Sequence, residues 1–159
     1  MNKKIGLVVV VAVIAIASMQ MSYAEEEYTK LVGCATDDNE IDPDLGSVSA
    51  IINDGNNLVI SVYNAYPCYE AYVNYTVKHV GNLETAPTVY LDAIDITNPY
   101  AGVEMNVVVT DILGNPIPIN TALDPGETLE CLVTITMLDG AVEDESYLFN
   151  IDMYFSEHT

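Results

Sequence analysis

The side chains that could do chemistry in this sequence are two histidines, three cysteines and a large excess of acids. His79 and His158 lie far apart in the chain, and no His-Glu-x-x-His motif is present. A catalytic zinc site needs three protein ligands around an open position, so the histidines do not indicate a zinc enzyme. No serine lies in a nucleophile-elbow motif either. The sequence therefore predicts no catalytic residue, no enzyme activity and no cofactor.

The three cysteines are Cys34, Cys68 and Cys131, an odd number that allows at most one intramolecular disulfide bond. A bond from Cys34 to Cys68 or to Cys131, within one subunit or between two, would attach the N-terminal segment to the rest of the chain. Cys131 falls on the inward face of a predicted strand, so a small buried core residue is the alternative interpretation for it. The sequence leaves both interpretations open.

Charge is the strongest bias in the composition, with 24 acidic residues against four lysines. Two of the lysines lie within the first 24 residues, so the rest of the chain sets Lys30 and Lys78 against 24 acids, a formal charge of −22. Such a charge repels nucleic acid and anionic membrane surfaces, so we expect neither as a partner. A solvated surface and cation binding are both compatible with this acidity.

Acidic side chains are dense between residues 34 and 46, which read CATDDNEIDPDLG. Asp37, Asp42 and Asp44 are candidate calcium ligands, because carboxylate oxygens suit that ion. The spacing lacks the central Gly and terminal Glu of an EF-hand, and Pro43 in a polar stretch favours a solvated loop. We therefore expect an acidic linker over residues 34–46, with calcium binding as the alternative.

The first 24 residues predict a signal peptide. Two lysines precede an apolar run over residues 5–17, and Ser22 and Ala24 supply the small side chains of a cleavage site before Glu25. The apolar run is shorter than the roughly 20 residues that a membrane span needs. We expect cleavage between Ala24 and Glu25, secretion to the cell surface or the extracellular space, and no stable membrane anchor afterwards.

The clearest pattern runs from Tyr63 to Asn82, YNAYPCYEAYVNYTVKHVGN. Pro67 lies in a bend that cannot continue a strand ladder. The residues that follow alternate between two faces, and one face carries Ala71, Val73, Tyr75, Val77 and His79. Alternation with one apolar and one polar face is typical of a half-buried antiparallel strand. This strand is predicted to be central.

Other segments repeat this pattern between turn signals. Strands are expected at 28–32, 47–53, 58–63, 88–97, 104–110, 128–138 and 147–155. Alternation slips near Asp92, which indicates a bulge, and Pro125-Gly126 predicts a tight type II turn. No segment has a helical period. The sequence therefore predicts an all-β fold, a two-sheet antiparallel β-sandwich of the jelly-roll or Ig-like kind, over residues 47–159.

Three of these segments together carry a family resemblance. NAYPCYEAYVNYTVKHVGN, LDPGETLECLVTITML and the terminal YLFNIDMYFSE resemble the TasA/camelysin-like biofilm-matrix fibre subunits, and are more similar still to their archaeal relatives, the bundling-pilus subunits. The resemblance covers roughly residues 46–156. The chain departs from the bacterial members in lacking their phenylalanine-rich segment after the signal. The resemblance implies a jelly-roll-like sandwich whose subunits polymerise by donor-strand complementation.

Residues 25–33 suit a donor strand because they are strand-like and precede a polar linker. We expect Tyr28, Leu31 and Val32 to be buried in a neighbouring subunit, so that identical subunits form a pilus-like filament and neighbouring filaments are lateral partners. Pairing of the same strand within its own domain is the alternative. The alternative function is a monomeric exported surface module that binds calcium or carbohydrate.

Two surface features remain. Asn74-Tyr75-Thr76 is a glycosylation sequon, and Asn74 is expected to face outward, where a glycan would fit. Of the eleven tyrosines, Tyr72, Tyr90, Tyr100 and Tyr154 are expected on outward or loop positions. They indicate either lateral adhesion between filaments or the ordinary preference of aromatic residues for strands.

Overall fold

A computed structural model of the chain describes residues 28–39 and 46–158. The predicted signal peptide, the cleavage pair Ala24 and Glu25, and the calcium candidates Asp42 and Asp44 lie outside the described residues. The described part forms nine strands and no helix. The strands are β1 Thr29–Asp38, β2 Ser47–Asp54, β3 Asn57–Tyr63, β4 Glu70–His79, β5 Val89–Thr97, β6 Met105–Asp111, β7 Ala122–Leu123, β8 Thr128–Met137 and β9 Ser146–Ser156.

The strands form two antiparallel sheets that pack face to face. One sheet has the order β1-β4-β8-β6, and the other has the order β2-β3-β9-β5-β7. The predicted all-β, two-sheet sandwich is thereby confirmed. β4 lies inside the four-stranded sheet, between β1 and β8, as expected for the strand with the clearest alternation.

The core lies between the inward faces of the two sheets. Every second residue is buried throughout β4, from Cys131 to Met137 in β8 and from Tyr147 to Met153 in β9, so the alternation in the sequence corresponds to the two faces of each strand. The largest fully buried side chains include Tyr69, Tyr147, Phe149, Leu58 and Ile60. Burying each such aliphatic or Phe side chain contributes about 1.5–3 kcal/mol of transfer free energy.

Two predicted local features are confirmed. The register of β5 against β9 shifts between Leu91 and Ala93, which is the bulge that the broken alternation indicated. Gly126 has φ 88°, and the Glu127 N–H donates to the Asp124 carbonyl at 2.9 Å. These are the positive φ and the closing hydrogen bond of a type II turn with Pro125 and Gly126 at its centre.

The first strand is longer than the sequence predicted. Its end was expected at Gly33, but β1 continues to Asp38, so the first five residues of the predicted linker are strand. The register of β1 against β4 shifts between Leu31 and Gly33, so Gly33 marks an irregularity within the strand and not its end. The edge of β4 offers backbone partners along its whole length, and these hold polar residues in a ladder that their own pattern does not predict.

β7 was not predicted. Its two residues pair with Val89 and Tyr90 at the end of β5. A strand of two residues is too short to show alternation in the sequence. It forms because the neighbouring edge of β5 supplies its hydrogen-bonding partners.

Candidate functional site

The predicted donor strand is β1, and it lies at the edge of its sheet. One side of its backbone pairs with β4 at nine positions, from Thr29 opposite His79 to Asp38 opposite Ala71. β1 also lies across the sandwich from β2, the edge strand of the other sheet. In this structure β1 therefore occupies a groove of its own chain, between the edge of β4 and the edge of the second sheet. We call this the β1 groove.

Backbone and side-chain hydrogen bonds hold the N-terminal end of β1 in the groove. The Val80 N–H donates to the Tyr28 carbonyl at 2.6 Å, and the Leu31 N–H donates to the Gly55 carbonyl at 2.9 Å. The Asn56 amide nitrogen lies 2.6 Å from the Thr29 hydroxyl oxygen. These contacts join β1 both to the end of β4 and to the turn between β2 and β3.

His79 closes the same end of the groove. It is fully buried, its Nε2 lies 2.9 Å from the Pro87 carbonyl oxygen, and its Nδ1 accepts the Gly81 N–H at 3.1 Å. Nε2 is therefore the protonated nitrogen, because only a donor can pair with a carbonyl. The Tyr28 ring lies 5.6 Å from the imidazole, centroid to centroid. This histidine has a structural role at the strand end.

Gly81 makes the close packing of this corner feasible. A Cβ atom at that position would lie 2.6 Å from His79 Cε1 and 2.9 Å from Tyr28 Cδ1. Both distances are shorter than any ordinary carbon–carbon contact, so a larger residue at position 81 would displace the ring pair.

Few β1 side chains enter the core. Thr29 and Leu31 are buried, and Leu31 is 5% exposed. Val32 was expected to be buried beside Leu31, but it is 46% exposed. In the single chain Val32 faces away from Leu31 because successive side chains of a strand point to opposite faces. Its burial in a neighbouring subunit stays a prediction. Tyr28, at the start, is half-buried against the core.

The second half of β1 is exposed even where it faces inward. Cys34 and Thr36 pair with the buried residues Tyr75 and Val73, yet both are exposed themselves. The far end is fastened by polar contacts: the Tyr69 hydroxyl donates to Asp38 at 2.8 Å, and Asn39 exchanges hydrogen bonds with Glu70 through its N–H and its side-chain oxygen. β1 is thus attached mainly through its backbone and its ends.

The cysteines do not form a disulfide bond. Cys34 and Cys131 both pair with Tyr75, on opposite sides of β4, so two strand spacings or about 9.6 Å separate them, beyond the roughly 4.4–6.8 Å of a disulfide. Cys68 lies just before β4, and the first residue of β4 is about 16 Å along the strand from Tyr75. Cys68 is therefore also too far from Cys34 and Cys131, which lie on either side of Tyr75, to form a disulfide bond with either. All three thiols are free, which excludes the two predicted bonds within this structure of a single chain. A bond between subunits stays a prediction.

Cys131 is a core residue, as its alternative interpretation held. It is fully buried, and desolvation raises the pKa of its thiol to about 11. Its neighbour Tyr75 donates its hydroxyl to the Met153 sulfur at 3.2 Å, and burial raises the pKa of that phenol as well. Cys34 and Cys68 are exposed.

Of the three calcium candidates, Asp37 alone lies in the described part of the chain. Asp37 is exposed, and its Oδ1 accepts the N–H of Asp38 at 2.9 Å. Within residues 28–39 and 46–158, no three His, Cys, Asp or Glu side chains gather into a metal site. Calcium binding stays a prediction that involves Asp42 and Asp44 as well.

An open cleft of about 530 Å³ lies between the start of β4 and the end of β8. Its lining includes Cys68, Glu70 and Asp139, together with Val103 and Met137. Among the described residues that line it there is no histidine and no lysine. It offers a thiol and two carboxylates at the surface.

Two of the five predicted surface residues, Asn74 and Tyr154, are exposed. Asn74 is exposed on the outer face of β4, so the sequon is sterically open, and its glycosylation stays a prediction. Tyr154 is exposed, whereas Tyr72 and Tyr90 are half-buried. Tyr100 is half-buried and packs edge-on against Tyr147, with ring centroids 5.0 Å apart, so it contributes to the core. Lateral adhesion through these tyrosines stays a prediction.

Two turn acids have structural roles that the sequence did not suggest. The Asp111 carboxylate accepts the N–H groups of Leu113 and Asn115 at 2.9 and 2.8 Å. The hydrogen bonds from Asn115 hold the pKa of Asp111 below its ordinary value. The Thr88 hydroxyl donates a hydrogen bond to the Asp124 carboxylate, which connects the type II turn to the residue just before β5.

Among the residues that the structure describes, no helix is long and apolar enough to cross a membrane. In comparisons with known proteins, no family model matches the chain, and no curated protein or solved structure matches it either. Function has to be inferred from β1, its groove and the charged surface.

Proposed function

We propose that this protein is the structural subunit of an extracellular filament, in which β1 of one subunit fills the β1 groove of the next. The observation that carries the proposal is the attachment of β1. It makes a nine-position backbone ladder with β4 but buries only Thr29 and Leu31 among its own side chains. The same strand from a second copy would restore every one of these contacts.

Exchange of a strand between identical subunits needs little extra energy because the contacts are the same before and after. An empty groove is unfavourable, since it exposes the ladder edge of β4 and the buried face around Val77 and Tyr75. A strand from a neighbour removes that exposure through main-chain hydrogen bonds and a side-chain pocket for Leu31. Growth of a filament would repeat this step.

Secretion and assembly are coupled in this proposal. The predicted signal peptide precedes β1 by only a few residues. Its removal would free the donor end, and polymerisation would then follow export. The resemblance to fibre and bundling-pilus subunits agrees with this order of events.

Lateral contacts between filaments have a candidate surface on the outer face of the five-stranded sheet. Ile51, Tyr63, Leu148 and Tyr154 are exposed there. Serines surround the first three, as Ser49 pairs with Ser61, which in turn pairs with Leu148. Apolar side chains in a small polar surround suit weak, repeated contacts between filaments.

The test is removal of the donor strand. A mature chain that begins at Asn39 is expected to form no filaments, because it keeps the groove and lacks the strand. Refolding it with a peptide of residues 25–38 should give a capped monomer, whereas the peptide carrying Leu31→Asp should not bind. Filaments of normal appearance from the truncated chain, seen by negative-stain electron microscopy, would refute strand donation. A full-length mature chain that stays monomeric would refute the filament itself and favour a binding module.

A further inference from the structure

Lys30 and Lys78 lie directly opposite each other in the ladder of β1 and β4. They are the only lysines after residue 4, and the chain has no arginine. Both side chains are exposed on the outer face of the four-stranded sheet. The two cations of a strongly acidic chain thus share one spot.

This pairing is unfavourable inside a single subunit. Like charges directly opposite each other on neighbouring strands repel. Among the described residues, the one contact within 4.0 Å between a basic and an acidic side chain is His158 with Asp92, so neither lysine has a carboxylate partner there. Two exposed valines adjoin the lysines in the chain: Val32 lies two positions after Lys30 on β1, and Val80 directly follows the last residue of β4, two positions after Lys78. We call these four residues the basic patch.

The opposite end of the sandwich carries an acidic loop, residues 139–145, between β8 and β9. Lys78 pairs with Thr128 at the start of β8, whereas the loop follows Met137 at its end, about 30 Å away along the strand. The loop exposes Asp139, Glu143, Asp144 and Glu145, and Val142 is 51% exposed among them. The negative charges of the loop are complementary to the positive charges of the basic patch, and Val142 is the counterpart of the two exposed valines in that patch.

The acidic loop has a defined shape. The Asn64 N–H donates to the Glu145 carbonyl at 3.1 Å, and the Asp144 N–H donates to the Asn64 side-chain oxygen at 3.0 Å. The Val142 N–H donates to the Tyr147 hydroxyl oxygen at 2.7 Å. These bonds hold the backbone, so the carboxylates are presented without first ordering the chain, which lowers the entropic cost of a contact.

The geometry points to a head-to-tail contact in which the basic patch of one copy binds the acidic loop of a second copy. A second copy is the favoured occupant because most contacts between such acidic subunits are repulsive, and this pair of surfaces is the exception. The two surfaces lie at opposite ends of one subunit, so the contact does not close on itself and can propagate. The inference rests on the proposed filament and assigns one of its subunit contacts. The patch is the same if β1 is donated in this register, because Lys30 then still faces Lys78.

Two charge-reversed variants of the mature chain test the contact. K30E/K78E makes both surfaces acidic, and E143K/E145K places two lysines in the acidic loop beside Asp139 and Asp144, which removes its net negative charge. Each variant alone should need at least about tenfold more protein for half-assembly than the unmodified chain, because two exposed ion pairs are lost and two repulsions are added. A 1:1 mixture should assemble at close to the normal concentration, because the unchanged acidic loop of one variant then meets the unchanged basic patch of the other, and the introduced lysines meet the introduced glutamates. Sedimentation velocity at fixed salt measures all three.

The mixture also controls for folding, since a variant that fails to fold cannot be rescued by the other. E84K/E157K is the matched control for E143K/E145K: it makes the same change of charge at the end that carries the lysines, and should not weaken assembly. Normal assembly of either variant alone, or a mixture that assembles no better than its components, would overturn the contact and leave strand donation standing. Failure of the unmodified chain to assemble would instead overturn the proposed filament.

Discussion

At the scale of single residues, burial separates the three cysteines into two classes. Cys131 lies in the core beside Tyr75, while Cys34 and Cys68 are exposed. The thiolate is the reactive form of cysteine, so a raised pKa and loss of access act in the same direction. Residue type alone does not distinguish these three thiols.

We expect iodoacetamide to label two cysteines of the folded, reduced protein at pH 8 and the third only after unfolding. The pKa of Cys131 is raised from 9.0 to about 11, which leaves about a hundredfold less thiolate than in an ordinary cysteine. Peptide mass spectrometry identifies the labelled sites, and the same reaction in urea is the control. Labelling of Cys131 as fast as that of Cys34 would show that the core opens around β8.

At the scale of elements, β1 is the segment whose attachment matters most for function. Its two buried side chains are at its N-terminal end, and its remaining length is held by the ladder with β4. Edge strands of this kind are the parts of a sheet that exchange most readily between molecules. The contribution of β1 to stability should therefore be concentrated at Leu31.

Leu31→Ala should lower the free energy of unfolding by about 2–4 kcal/mol, because it removes a buried side chain from the β1 groove. Val32→Ala is the matched control on the same strand, and its effect should stay within about 0.5 kcal/mol because Val32 is exposed. Urea unfolding of the monomeric fraction measures both. Equal effects of the two substitutions would mean that β1 does not lie in its own groove in the isolated subunit.

At the scale of the whole molecule, charge opposes assembly. Residues 25–159 carry Lys30 and Lys78 against 24 acids, and the repulsion between two such subunits reaches about 30 Å in 0.01 M salt but only about 8 Å at 0.15 M. Salt also weakens the attraction between the basic patch and the acidic loop. The repulsion dominates because acids outnumber lysines by twelve to one.

Self-association should therefore strengthen when NaCl is raised from about 0.01 to 0.15 M, because the screening length of the repulsion becomes shorter over this range. Light scattering or sedimentation velocity measures it, and a chelator removes trace divalent ions in both samples. CaCl₂ at matched ionic strength shows whether calcium does more than screen, as binding at Asp37, Asp42 and Asp44 would require. Assembly that is equally strong in dilute buffer would mean that apolar contacts outweigh the charge.

Much of the sandwich can be predicted from the sequence because the patterns that specify its strands and turns are local. The alternation of β4, β8 and β9 follows from the two faces of a strand, and the turn at Pro125-Gly126 follows from the φ angles that these two residues favour. The bulge near Asp92 is visible as a break in the same alternation. In each case a few neighbouring residues carry the whole physical cause.

What only the tertiary structure decided depends on pairing between distant segments. β1 extends past Gly33, and β7 exists, because the edges of β4 and β5 supply ladder partners that lie far away in the chain. Cys34 and Cys131 are kept apart because β4 lies between them, and Lys30 meets Lys78 because of one particular register. A shift of that register by one residue would reverse the faces of β1, and no local pattern in its polar second half specifies the choice.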